Sequence, residues 1–182
     1  MIIPPLRSDR VLIVGKGPGS EQLRDFLPTE YNIWTIPQTY SEYEYICGNR
    51  FDLIFEVHQP NQWRKKKSIL RRLNACSGPR LMVPQIVPGI TNNSYSLPVS
   101  DLQALELPLL DSFAWMLAYA LYRDIKTIAL RGINLDFAHE AAQERDALLY
   151  ILGYLKAAGL TLDIDRDSGL VQGNGLWTTL LS

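Results

Sequence analysis

Residues 10–20 constrain the fold most: they read RVLIVGKGPGS, an apolar run followed by a turn with three glycines. Residues 11–14 are apolar without polar alternation, which is typical of a buried strand in a parallel sheet. Glycine adopts backbone angles closed to other residues and leaves no side chain between the main chain and a bound group. The stretch therefore predicts a strand, a tight turn and the start of a helix.

This turn is a candidate phosphate site. Ser20 is suited to cap a helix with Glu21 in its first turn, and the amides of a helix N-terminus attract anions. We therefore assign Gly15, Gly17, Gly19 and Ser20 to nucleotide binding. The spacing G-x-G-x-G departs from the G-x-G-x-x-G dinucleotide fingerprint, and the Lys-Ser/Thr pair of a Walker A loop is absent. The alternative is a strand-to-helix turn that binds no ligand.

Composition limits the class of protein. A chain of 182 residues suits one domain, and a net charge of -1 argues against a general nucleic-acid binder. The two cysteines, Cys47 and Cys76, have neither disulfide-framework nor zinc-ligand spacing. No apolar run of roughly 18 residues predicts a membrane span, and the first residues do not resemble a signal peptide. We expect a cytoplasmic protein without a membrane partner, and the oligomeric state is left open.

Strand and helix patterns alternate along the chain. Apolar runs predict strands at residues 11–14, 32–36, 52–57, 80–83, 126–130 and 160–164, and helical patterns occupy residues 20–27, 41–47, 61–76, 113–122 and 139–158. Residues 84–110 are rich in proline and predict a long loop. Alternation of this kind predicts a single α/β domain, a Rossmann-like three-layer sandwich with a mostly parallel sheet of about six strands.

Polar side chains follow several of these strands. Because the carboxyl ends of parallel strands share one edge, where ligands bind, we expect these side chains to meet the glycine turn there. A guanidinium binds phosphate oxygens, and a histidine or an acid moves a proton. We assign catalysis to His58, His139, Glu56 and Asp136, and ligand binding to Arg131 and Asn134. The alternative for the third strand is that Glu56 pairs with a neighbouring cation and His58 only begins the loop.

Three further features leave alternatives open. Ser112 begins an apolar helix, where it either caps the helix or presents its hydroxyl to a ligand. The helix at residues 61–76 has a strongly basic face, which is either a solvated surface or a contact for phosphates or nucleic acid. Glu56 and Asp136 are able to hold Mg²⁺ with substrate phosphates, but two carboxylates on separate strands are no specific signature, so we assign no metal site.

Four stretches carry a family resemblance. They resemble stretches of a group of small proteins found often in bacteriophages and prophages. Their sequences are VLIVGKGPGS, EVHQPNQW, DSFAWMLAYALY and ALRGINLD with AQERDALLYILGYLKAAGLTLDI. The resemblance spans nearly the whole chain and implies a Rossmann-like fold with its site at the carboxyl edge, but no particular reaction. It also implies that the protein works in the cytoplasm of a host cell. More distantly, the opening turn is similar to those of bacterial sialyltransferases and MptE-like pterin diphosphokinases, which bind a nucleotide there.

Two classes of function follow from these residues, and a third stays open. The first is a transferase that uses a nucleotide sugar or a nucleoside triphosphate. In it, the glycine turn and Arg131 bind phosphates, His58 or His139 acts as acid or base, and Mg²⁺ accompanies the nucleotide. The second is a non-catalytic binder of a nucleotide or signalling molecule. The third is a structural or interaction protein on the same scaffold.

Overall fold

The structure is a computed structural model. It describes residues 3–27, 29–47, 50–59, 61, 71, 74, 80–86, 90, 93–133, 138–165, 168 and 170, with the backbone alone at 44–47 and 138–141. Asn134, Asp136 and most of the predicted helix at residues 61–76 lie outside these residues, as does the side chain of His139. In the described part of the chain, no helix is long and apolar enough to cross a membrane.

The core element is one parallel sheet. Its strands are β1 Arg10–Val14, β2 Asn32–Thr35, β3 Leu53–Phe55, β4 Arg80–Val83, β5 Ser94–Ser96, β6 Thr127–Arg131 and β7 Thr161–Ile164. They are ordered β5-β4-β3-β2-β1-β6-β7, and every neighbouring pair is parallel. The predicted α/β class with a mostly parallel sheet is therefore confirmed, with one strand more than expected.

The additional strand lies inside the predicted loop at residues 84–110. β5 has the sequence Ser-Tyr-Ser, and its three residues are all half-buried at the edge of the sheet. It pairs with β4 through the register of Leu81 with Ser94. Because this strand has no apolar run, the hydrophobic pattern gave no sign of it.

Helices cover both faces of the sheet. They are α1 Leu23–Phe26, α2 Pro37–Cys47, α3 Val99–Gln103, α4 Ser112–Tyr122 and α5 Ala138–Ala157. A 3₁₀ turn, Ser20–Gln22, precedes α1, so the predicted helix at residues 20–27 contains only one short α-helical segment. α2 begins four residues before the predicted start at residue 41, because proline at a first helical position has a suitable φ and lacks only an N–H that would be unpaired there.

Alternate residues of each strand enter different cores. Val11 and Ile13 pack in a cluster with α4 and α5, whereas Leu12 and Val14 pack with Leu23 and other residues near α1 and α2. The first cluster contains a group of tilted and edge-to-face rings, with Trp34, Phe55 and Tyr119 at centroid distances of 5.4 to 5.6 Å. Helix, sheet and helix thus form three layers.

The strand order reverses beside β1. Strands β2 to β5 lie on one side of β1, and β6 and β7 lie on the other. In open α/β sheets, such a reversal leaves a crevice outside the carboxyl ends of the strands, where ligands commonly bind. The glycine turn that follows β1 therefore lies at the switch point.

Candidate functional site

The glycine turn is closed by main-chain hydrogen bonds to the end of β6. The amide of Gly15 donates to the carbonyl oxygen of Arg131 at 2.9 Å, and the amide of Gly17 donates to the carbonyl oxygen of Gly132 at 2.6 Å. A Cβ atom on Gly15 would overlap the carbonyl oxygen of Gly132, which itself has a φ of 64°. These glycines are therefore required for the close approach of two turns, and two of the expected phosphate-binding amides already have partners.

Gly19 and Ser20 also differ from their predicted roles. Gly19, in the left-handed region with a φ of 88°, occupies the N-cap position of the 3₁₀ turn, and Ser20 makes no capping hydrogen bond. The prediction that Ser20 caps the helix is wrong, because its buried Oγ lies 2.5 Å from the hydroxyl of Tyr43. With only four residues in α1, the helix contributes little dipole to anion binding.

Arg131 is buried and held by the fold. One terminal nitrogen, Nη1, donates to the carbonyl oxygens of Leu130 at 2.8 Å and Asp163 at 3.0 Å, and Nη2 donates to Asp163 Oδ2 at 2.8 Å. The guanidinium carbon lies 5.2 Å from the ring centroid of Phe26, and only Nε has no partner among the described residues. The side chain therefore points neither to solvent nor across the mouth of the sheet, and its fork is already engaged by a carboxylate.

Glu56 and His58 form a pair at the end of β3. The amide of Glu56 donates to the carbonyl oxygen of Met82 at 2.9 Å, which continues the sheet ladder beyond Phe55. Its buried carboxylate accepts a hydrogen bond from the amide of His58 at 3.0 Å and also pairs with Nδ1 of the imidazole. The imidazole is about half exposed, with 51% of the side chain accessible. The group that pairs with Glu56 is thus the neighbouring histidine itself.

A cavity opens beside this pair. It has a volume of about 340 Å³ and lies where the end of β3 meets the starts of α4 and α5. Two predicted residues, His58 and Ser112, contribute to its wall together with others that the sequence patterns did not indicate. Among the residues that the structure describes, the lining consists of Val57, His58, Gln59, Leu110, Asp111, Ser112, Trp115 and Glu144.

Asp111, rather than Ser112, caps α4. Its backbone is extended, and its Oδ1 accepts a hydrogen bond from the amide of Ala114 at 2.7 Å. Ser112 is the first helical residue and lies on the cavity wall, and the interpretation that its hydroxyl faces a ligand stays a prediction. An Asp-Ser pair before an apolar helix does not reveal which residue caps it, since both types are good N-caps.

The carboxyl group of Asp111 has an unusual environment. Burial raises its pKa from 3.8 to about 6; hydrogen bonds from the amides of Ala114 and Phe113 oppose the increase, and the nearby negative charge of Glu144 adds to it. Oδ2 of Asp111 is buried without a hydrogen-bond partner in the described part of the chain. A carboxyl group in a cleft with a pKa perturbed by desolvation and a specific charge is a candidate functional group.

No metal site emerges within the ranges given above, because no group of three or more His, Cys, Asp or Glu side chains is arranged to hold an ion. Asp136 and Asn134 lie outside those ranges, so their predicted roles stay predictions. Comparison of the chain with protein-family models, with curated proteins and with solved structures finds no match. The site is therefore assigned from its own geometry.

Proposed function

We propose that the protein is a transferase that moves a group from a nucleotide donor to a hydroxyl-bearing acceptor in the cavity. The observation that carries this proposal is that His58 on the cavity wall pairs through Nδ1 with the buried carboxylate of Glu56. Because a buried carboxylate pairs with Nδ1, the other ring nitrogen, Nε2, is left to act as the base. In many enzymes that use a histidine base, a carboxylate hydrogen-bonded to one ring nitrogen orients the imidazole, and Glu56 has that position here.

The chemistry assigned to this pair is proton removal. His58 Nε2 takes the proton of the acceptor hydroxyl as the acceptor oxygen bonds to the transferred group. The bond from that group to the nucleotide breaks, and its electron pair stays on the nucleotide oxygen. The negative charge of Glu56 stabilises the imidazolium that forms. General acid–base catalysis by a positioned side chain typically contributes about 10²–10⁴-fold in rate. Trp115 and Ser112 on the same wall supply an apolar surface and a hydroxyl that position the acceptor.

The nucleotide part of the proposal is supported by the glycine turn at the switch point. Since the Gly15 and Gly17 amides have partners, we assign the phosphates to Lys16 instead. Its ammonium lies 3.8 Å from Glu42, and both side chains are about half exposed, so little free energy is lost when a phosphate replaces Glu42. The resemblance to phage and prophage proteins supports action in the cytoplasm of a host cell.

The first experiment is thermal-shift screening against nucleoside di- and triphosphates and nucleotide sugars, each with and without Mg²⁺. A ligand at about 100 times its dissociation constant stabilises a protein by about 2.7 kcal/mol. Lys16→Gln should reduce the shift. An unchanged shift in that variant would contradict the assignment of the phosphates, and the absence of any shift would contradict the nucleotide part of the proposal.

The second experiment separates catalysis from binding. With each nucleotide that binds, His58→Ala and Glu56→Gln should lower turnover with hydroxyl-bearing acceptors, by about 10²–10⁴-fold for His58→Ala, while nucleotide affinity changes little. Asp101→Asn, at an exposed position in the first turn of α3, is the matched control and should keep full turnover. Binding without turnover in the unmodified protein would instead identify a non-catalytic nucleotide binder.

A further inference from the structure

One oxygen of Asp111 is not used by the fold. Oδ1 accepts the hydrogen bond that caps α4, whereas Oδ2 is buried and has no partner among the residues that the structure describes. Buried polar atoms in native proteins are nearly always paired, so each exception calls for an explanation, and a catalytic role is one such explanation. The side chain also lines the cavity that contains His58. The residue that carries the unused oxygen and the candidate base thus line one cavity.

We propose that Asp111 is a second proton-transfer group of this cavity, a general acid that complements the base His58. This inference rests on the proposed function, which places a transfer reaction in the cavity. As the acceptor oxygen forms its bond to the donor, the bond to the leaving oxygen breaks and its electron pair stays on that oxygen. Asp111 then donates its proton to the leaving oxygen, while His58 holds the proton of the acceptor. Solvent afterwards returns a proton to Asp111 and removes one from His58.

The charges around Asp111 suit this role. Glu144 lines the cavity from α5, and His58, which pairs with Glu56, lines it from the end of β3. Burial and the Glu144 carboxylate both favour the neutral form of Asp111, so its pKa is raised to about 6. Sites that combine an acid and a base hold the two groups in different environments, which set their separate roles.

The fold also holds Asp111 in place. Its Oδ1 is fixed by the amide of Ala114 at 2.7 Å at the start of an eleven-residue helix. Catalytic groups are effective when their geometry is fixed before the substrate binds, because no ordering is then needed during the reaction. The hydrogen bond that caps α4 therefore also fixes the position of the carboxyl group that we propose as the acid.

A diazo compound tests proton donation directly, without a substrate. A carboxylic acid protonates the diazo carbon, and the resulting carboxylate then displaces N₂ to form an ester, so only a protonated and reachable carboxyl group reacts. The protein is treated with diazoacetamide between pH 5 and pH 8, and the esters are located by peptide mass spectrometry. Asp101, an exposed aspartate, is the internal control, and Asp111→Asn identifies the modified peptide.

At pH 6, a carboxyl group with a pKa of 6 is about half protonated, whereas one near 3.9 retains roughly one proton per hundred molecules. We therefore expect at least about tenfold more ester on Asp111 than on Asp101, with the excess falling above pH 6. The ¹³C resonance of the Asp111 carboxyl group, titrated in parallel, should show a midpoint of about 6.

Two results would overturn the inference. A midpoint near that of ordinary aspartates would mean that Asp111 holds no proton to donate. A midpoint of about 6 without preferential ester formation would mean that its proton cannot reach a molecule in the cavity. Neither measurement uses a nucleotide, so a failed nucleotide screen would overturn the donor assignment and leave this result unaffected.

Discussion

The turn after β1 and the cavity beside β3 lie at the same edge of the sheet and use their polar groups differently. At the glycine turn, two amides bond to the end of β6, and Arg131 is engaged by Asp163. At the cavity, the imidazole of His58 is half exposed and one oxygen of Asp111 has no described partner. The glycine-rich motif thus reflects close packing of main chains, and the better candidate for chemistry lies where the fold leaves polar groups unused.

The largest expected effect is at Gly15. Its Cβ in Gly15→Ala would overlap the carbonyl oxygen of Gly132 and lie 2.9 Å from that carbonyl carbon, so the two turns would have to separate. Separation also weakens the hydrogen bond from the Gly15 amide to Arg131. We expect the free energy of unfolding to fall by about 3–5 kcal/mol, as measured by urea denaturation.

Gly159→Ala is the matched control for this substitution. Gly159 has a φ of 90°, but a Cβ atom there would meet nothing within 4 Å. Only backbone strain remains, so the loss should be roughly 1–2 kcal/mol. Equal losses at Gly15 and Gly159 would show that the turns after β1 and β6 are not tightly packed, which would make the amides of Gly15 and Gly17 candidates for phosphate binding again.

The next effect concerns Arg131. Arg131→Ala removes three hydrogen bonds to Leu130 and Asp163 and the contact with the ring of Phe26. Because the carboxylate of Asp163 is half exposed, solvent compensates part of the loss, and we expect a cost of about 2–3 kcal/mol in urea denaturation. Arg10→Ala, at an exposed position on β1, should cost less than about 1 kcal/mol. If the Arg131→Ala protein is stable but has lost nucleotide affinity, Arg131 binds the phosphates and its role is not only structural.

The fold was more predictable than the site, for a physical reason. Strand and helix patterns are local, and the positions of Glu56 and His58 follow from the end of one apolar strand. The roles of Asp111 and Glu144 depend instead on how α4 and α5 pack at the sheet edge. The glycine turn was ambiguous because glycine permits the approach of a phosphate and of a second main chain alike. The position of Gly132 shows that Gly15 allows the approach of a second main chain, and phosphate binding at this turn stays a prediction.

Asp111 gives a pH-dependent effect. Its pKa in the folded protein is raised to about 6, so between about pH 4 and pH 6 the folded state binds more protons than the unfolded state. The free energy of unfolding should therefore fall as the pH rises through this range. Asp111→Asn keeps an acceptor for the amide of Ala114 but cannot ionise, so it should be about 1–2 kcal/mol more stable than the unmodified protein at pH 7.

Urea denaturation at intervals from pH 4 to pH 8 measures this difference, which should shrink as the pH approaches 4. Asp111→Ala separates the two roles of the side chain, because it also removes the cap, at a cost of about 1 kcal/mol. Asp101→Asn, at an exposed position, controls for the general effect of removing one negative charge. Stability curves for Asp111→Asn and the unmodified protein that run parallel across the range would contradict the assigned environment of Asp111.

The smallest expected effect tests whether Ser20 belongs to the fold or to a ligand. Its buried Oγ lies 2.5 Å from the hydroxyl of Tyr43, so Ser20→Ala and Tyr43→Phe should each cost about 1 kcal/mol. Because both substitutions remove the same hydrogen bond, the double variant should lose less than the sum, with a coupling of about 0.5–1.5 kcal/mol in a double-mutant cycle. Nucleotide affinity should stay unchanged in Ser20→Ala if this bond only joins the turn to α2. Additive losses together with a weakened affinity would instead mean that the hydroxyl of Ser20 leaves Tyr43 to bind a phosphate.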